Sequence, residues 1–155
     1  MIGVLGRLWC HAVTVSQPSF TGSPQDQTIT DWDSIDSHGP SWITGGSGPY
    51  QGAVPVDGGY QVTINAEVNA TDPNLGGAPT DAGFFATFEG AVLALWCPPF
   101  TDDTNGTAWI SAAGSAILEL AAGTPLEVAI TAHDASVAVL DLGVHSVKLD
   151  IVRLS

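Results

Sequence analysis

Basic side chains are nearly missing from this chain. Arg7, Lys148 and Arg153 are the full complement among 155 residues, against 16 Asp and Glu, for a formal net charge of −13. A surface of that sign repels phosphate backbones and anionic lipid headgroups, which argues against nucleic-acid and membrane partners. Cysteine is scarce as well. Cys10 and Cys97 lie far apart, each after a Trp, with no metal-ligand spacing and too few thiols for a disulfide framework. The plainer reading is two buried thiols, with a Cys10–Cys97 bridge as the alternative. Met1 to Val15 holds no continuous apolar run, so it reads neither as a signal peptide nor as a membrane span, and synthesis in the cytoplasm is the expectation.

Charged residues of either sign make up only 12% of the chain, whereas hydrophobic ones make up 45%. So few charges over so much apolar surface predict that other subunits cover part of the exterior. Helical periodicity is missing too. The alanine-rich stretch Ala108–Ala122 places Trp109, Ile110, Ile117 and Leu118 on no single helical stripe, and Gly114 interrupts it. It is expected to form two strands joined by a turn or bulge. Internal repeats, heptads and a Gly-X-Y stalk are lacking, so the sequence provides no fibre shaft.

What is present is alternation. Tyr60, Val62, Ile64, Ala66 and Val68 alternate with Gln61, Thr63, Asn65 and Glu67, the period of a strand dry on one face and wet on the other. Leu126 to Ala132 repeats the pattern. Further strands are predicted at His11–Ser16, Gln27–Trp32, Gly83–Glu89, Ala91–Trp96, Ser136–Leu140 and Ser146–Leu154. With 18 Gly and 10 Pro the segments between them are rich in turns, and Thr71–Ala82 reads as a long exposed loop. Many short strands at near-regular spacing predict an all-β sandwich or barrel in one domain.

The landmarks fall into one order. A strand over Ala12 to Ser16 leads to Thr28-Ile29-Thr30-Asp31-Trp32-Asp33 and then to Asp36 and Trp42. Val54-Pro55-Val56-Asp57-Gly58-Gly59-Tyr60 precedes the alternating strand, and Phe84 to Gly90 follows it. Leu118-Glu119-Leu120-Ala121-Ala122-Gly123-Thr124-Pro125-Leu126-Glu127-Val128 and Leu149-Asp150-Ile151-Val152-Arg153-Leu154 complete the series. This order resembles the jelly-roll domain shared by the tumour-necrosis-factor superfamily and the complement globular head, most closely as it occurs in tailed-bacteriophage structural proteins. Thr124 departs from the pattern, standing where that family often carries Asp.

The resemblance implies an antiparallel jelly-roll sandwich over residues 11–155, preceded by an N-terminal arm over residues 1–10, and packed as a threefold trimer. It makes Tyr60, Val62, Ile64, Phe84, Leu149 and Ile151 candidates for the core or the trimer axis. It further implies a non-enzymatic virion protein that decorates the capsid exterior, with the major capsid protein or other virion proteins as partners. Residues 1–30 would then supply a gripping arm. The alternative is a minor tail or tail-fibre tip protein that binds host-surface glycans. A secreted cytokine-like or complement-like ligand fits less well without a signal peptide or stalk.

Sites of chemistry are sparse. Asp31, Asp33 and Asp36 are the best candidate for a hard cation, but they lack EF-hand spacing, and a solvated edge is the plainer reading. His11, His38, His133 and His145 are scattered. Asp134 could orient His133, yet no nucleophile is identifiable beside them. Ser47 in Gly45-Gly46-Ser47-Gly48 is half of a nucleophile elbow without a strand–turn–helix context. No catalytic residue, metal site or cofactor is assigned. For Trp9, Trp32, Trp42, Trp96 and Trp109 core and subunit-interface packing is the plainer reading and a carbohydrate platform the alternative, with Trp42 as its candidate exposed aromatic because its neighbours are Pro, Ser and Gly.

Overall fold

The computed structural model describes residues 8–15, 20–21, 25–71, 82–96, 107–134 and 141–155. Every regular element among them is a strand. In chain order these are β1 (Trp9–Val15), β2 (Phe20–Thr21), β3 (Gln25–Ile29), β4 (Ser34–His38), β5 (Ile43–Gly45), β6 (Gln51–Gly52), β7 (Gly58–Thr71), β8 (Ala82–Phe88), β9 (Ala91–Trp96), β10 (Thr107–Leu120), β11 (Val128–Asp134) and β12 (Asp141–Arg153).

The pairing is nested. β8 pairs with β9, β7 with β10, β3 with β11 and β1 with β12, all antiparallel. Eight strands thus form one long hairpin, and its tip is the two-residue turn Glu89-Gly90 between the paired Phe88 and Ala91. Both turn residues have positive φ, 49° and 76°, the backbone that a tight hairpin needs to follow strand twist. The hairpin is then rolled, so that β12 also pairs with β7, and β11 with β8. One sheet runs β10-β7-β12-β1-β4, with β2 added at the far end of β12; the other runs β3-β11-β8-β9. A hairpin rolled into two sheets is a jelly roll, and the chain adopts that fold.

Alternation decides which side chains meet between the sheets. On β7 the buried positions are Tyr60, Val62, Ile64 and Ala66, while Gln61 and Asn65 are exposed. In register beside them on β12 lie Ile151, Leu149 and Val147, and beyond those on β1 lie Cys10, Ala12 and Thr14, all buried. The second sheet contributes Ile29, Ala86, Phe88, Leu93, Val128 and Ile130 to the same core. Full burial of each large aliphatic side chain stabilises the sandwich by about 1.5–3 kcal/mol. Tyr60, Val62, Ile64, Leu149 and Ile151 are therefore core residues of the single chain. Phe84 lies in β8, but its side chain is outside the described residues.

Several expectations need correction. β10 is one continuous strand of 14 residues, not two strands joined by a turn. Gly114 stays paired opposite Ile64 without interrupting the ladder. The connection between β3 and β7 carries three strands that the sequence reading did not predict, β4, β5 and β6. The expected strand at Leu126–Ala132 is displaced to Val128–Asp134, because Leu126 and Glu127 still belong to the preceding turn. Trp9 and Cys10 open β1, and residues 9–15 and 25–29 are strands of the sandwich, so residues 1–30 do not form an arm as a whole. Residues 1–7, most of the Thr71–Ala82 loop, the strand expected at Ser136–Leu140 and Cys97 lie outside the described residues.

Candidate functional site

Trp42 is not an exposed aromatic: it has 0% exposure. The Pro, Ser and Gly residues around it shape a turn that drives the indole inward, so local composition misleads about the side chain. Its ring meets Tyr60 edge-on, with centroids 6.2 Å apart and planes at 84°, and its Nε1–H donates to the His38 carbonyl at 3.4 Å. Trp32 is buried too, and its Nε1–H donates to the Leu126 carbonyl at 2.8 Å. Both indoles pin the β3–β7 connection onto the core. Burial raises the Tyr60 hydroxyl's pKa above its ordinary value, while Arg153 opposes and Asp57 adds to the shift. That hydroxyl donates to the Val56 carbonyl at 2.7 Å.

The three aspartates proposed for a cation are separated by the fold. Asp31 accepts from the Gln51 side-chain amide at 2.9 Å. Asp33 accepts from the Val15 amide at 2.6 Å and the Thr14 hydroxyl at 3.3 Å. Asp36 lies on β4, opposite His11 of β1. Among the described residues, no group of three or more His, Cys, Asp or Glu could hold a metal. Ser47 is exposed in the bend between β5 and β6, and the side chains of His133 and Asp134 are outside the described residues.

The structure instead assembles a five-strand face directed away from the core. Because Cys10, Ala12 and Thr14 point inward, Trp9, His11, Val13 and Val15 point outward. Cross-strand register extends each of these into a row. Trp9 is flanked by Val152 and His38, with Gln61 and Ile117 beyond Val152. His11 is flanked by Asp150 and Asp36, with Thr63 and Ser115 beyond Asp150. Val13 is flanked by Lys148 and Ser34. Ile117 is 72% exposed and Val15 52% exposed, whereas Trp9, Val13 and Val152 are half-buried. Apolar side chains on the outward side of a sheet are what alternation should have excluded, and only the register shows them to be neighbours.

At the middle of this face, His11 Nδ1 lies 2.6 Å from Asp150 Oδ1, with the side chains 40% and 47% exposed. Among the described residues no hydroxyl or thiol hydrogen-bonds to His11. Behind it, Cys10 is a free buried thiol whose pKa rises from 9.0 to about 12, first through desolvation and then through the negative charges of Asp150 and Asp36. Such a thiol stays protonated and is inert as a nucleophile.

No family model and no curated protein sequence matches the chain. Solved structures similar to it include Eiger TNF from S. frugiperda (13% identity, TM-score 0.40, covering 96% of this chain and 94% of that one). The PRD1 vertex protein is similar at 11% identity and TM-score 0.42, covering 96% and 97%. Murine APRIL is similar at 13% identity and TM-score 0.45, covering 96% and 99%. At these scores the jelly-roll assignment rests on the nested strand order of the chain itself.

Proposed function

We propose that this chain is a non-enzymatic structural protein of a tailed-bacteriophage virion, assembled as a homotrimer that decorates the capsid exterior. The observation that carries the assembly is the outward face of β10-β7-β12-β1-β4. Ile117 and Val15 are exposed there and Trp9, Val13 and Val152 half-exposed, an apolar surface that the described residues cover only in part. Copies with a net charge of −13 repel one another, and this face carries Lys148 and His11 among the carboxylates of Asp36, Asp150 and Glu67, so apolar burial has to outweigh the remaining repulsion. A closed threefold ring buries such a face on every copy and suits a position where neighbouring capsid proteins meet. Support for the virion is the order of sequence landmarks shared with phage jelly-roll proteins.

Sedimentation velocity tests the assembly. The wild-type chain should run as a trimer, and Ile117→Glu combined with Val152→Glu should run as a monomer with unchanged circular dichroism. A wild-type monomer at micromolar concentration overturns the trimer. Incubation with empty capsids tests the role, with retention on the particle and a gain in capsid heat resistance expected. The second reading, a minor tail or tail-fibre tip protein that binds host-surface glycans, loses Trp42 as its aromatic but is favoured by a cleft of mixed polar and apolar lining beside the β5–β6 hairpin. Images of labelled particles separate the two, since signal on the head supports decoration and signal on the tail supports the tip.

A further inference from the structure

That cleft has a volume of about 470 Å3 and opens where the end of β3, the β5–β6 hairpin and the turn before β11 meet. Its size lies within the ~300–1,000 Å3 range of small-molecule sites. The backbone fixes its walls. Residues 50–54 are held on one side by the reciprocal Trp32–Tyr50 hydrogen bonds of 2.8 and 2.7 Å. On the other side Leu126 donates to Gly52, and Val54 to Thr124, both at 2.8 Å.

The lining has a definite chemistry. Thr30 and Thr44 bring hydroxyls that both donate and accept, Gln51 brings an amide, Glu127 brings a carboxylate, and Ala53 and Pro125 bring apolar surface. The bond from Gln51 Nε2 to Asp31 Oδ1 orients that amide and leaves its carbonyl oxygen and one N–H for a ligand. Among the described residues no basic side chain lines the cleft, and Glu127, with Asp31 beside Gln51, repels anions. Hydroxyl, amide and carboxylate groups beside apolar surface match a ring that carries several hydroxyls on its edge and C–H groups on its faces. Glu127 is also shared with a second depression of about 220 Å3, which Thr28, Thr87 and Glu89 line.

We infer that this cleft binds a neutral polyhydroxylated ligand, a hexopyranose unit of an uncharged glycan, and that the chain of the glycan continues over Glu127 into the second depression. The inference rests on the cleft alone and is independent of the oligomeric state and of the position in a particle.

Saturation-transfer NMR on the full chain tests it with glucose, galactose, mannose, N-acetylglucosamine and their disaccharides. An array of immobilised neutral, sialylated and sulfated glycans separates surface glycans from free sugars. Neutral sugars should bind, sialylated and sulfated ones should not, and Gln51→Ala and Glu127→Gln should each weaken binding about tenfold by removing a polar partner. Thr44→Trp, which fills the cleft, should abolish binding while the melting curve shows the protein folded. Binding by disaccharides but not monosaccharides also supports the assignment and makes the second depression a required subsite. Failure of every neutral sugar to bind, a preference for the anionic glycans, or full binding by all three folded variants overturns it.

Discussion

The Trp42 and Tyr60 rings meet at right angles, 6.2 Å between centroids and 84° between planes, and this contact ties the β3–β7 connection to β7 at its buried Tyr60. Trp42→Ala should therefore destabilise the fold by about 3–5 kcal/mol, the cost of a large aromatic cavity. Tyr60→Phe should cost about 1 kcal/mol, since it keeps the ring and loses only the hydrogen bond to the Val56 carbonyl. Urea denaturation of both variants checks the ordering, and a Trp42→Ala effect as small as that of Tyr60→Phe would refute the buried placement.

Cys10 should resist thiol reagents at pH 8 in the native protein and react once denaturant is added. Its folded pKa of about 12 stands above the 9.0 of the free thiol, so the folded state holds the proton more tightly. The stability tied to this group is complete below pH 9 and is lost as pH rises from about 9 to about 12. A Cys10→Ala variant should show a shallower loss of stability across that window in thermal melts.

The exposed His11–Asp150 pair should contribute little to the stability of the single chain. Asp150→Asn is expected to shift it by no more than about 1 kcal/mol, because solvent screens a pair exposed to this degree. Trimer dissociation, followed by sedimentation over a dilution series, should respond more strongly, since the pair lies at the middle of the proposed interface. A large loss of monomer stability with unchanged association would contradict this placement.

Two glycines of the β5–β6 turn should differ in tolerance. Both have positive φ, 90° at Gly46 and 112° at Gly48, so alanine strains either backbone. A Cβ at Gly46 would also collide with the Pro49 carbonyl, whereas at Gly48 it meets open space. Gly46→Ala should lower the melting temperature more than Gly48→Ala does, and the reverse order would count against the turn geometry.

Where one face was buried, the sequence could be read directly: Tyr60 to Ala66 and Leu149 to Ile151 announce their burial by alternation, because a half-buried strand must repeat every two residues. The rest depended on partners remote in sequence. Ser34–His38 carries one apolar residue, Ile35, among four polar ones, too weak an alternation to announce a strand, and it becomes one by pairing with the edge of β1. Trp42 lies in a turn-forming context and is buried by Tyr60, which sequence proximity does not reveal. The outward apolar rows and the cleft are products of register and of three segments converging, so no single window of residues could signal them. Glu127 read as the polar half of an alternation, and its place between two depressions needed the fold.

The pairing of Trp9 with Val152 also governs when the protein can fold. β1 and β12 lie side by side within the larger sheet, yet they are contributed by opposite ends of the strand order. During synthesis β1 must wait beside an empty place until β12 has left the ribosome, with its apolar side unprotected. Such distant pairing makes loop closure costly, and folding times of roughly milliseconds to seconds are expected for such topologies. A nascent chain stalled before Asp141 should therefore lack the centre of the larger sheet, where β12 joins β1 to β7, and that part of the core should form in a late step.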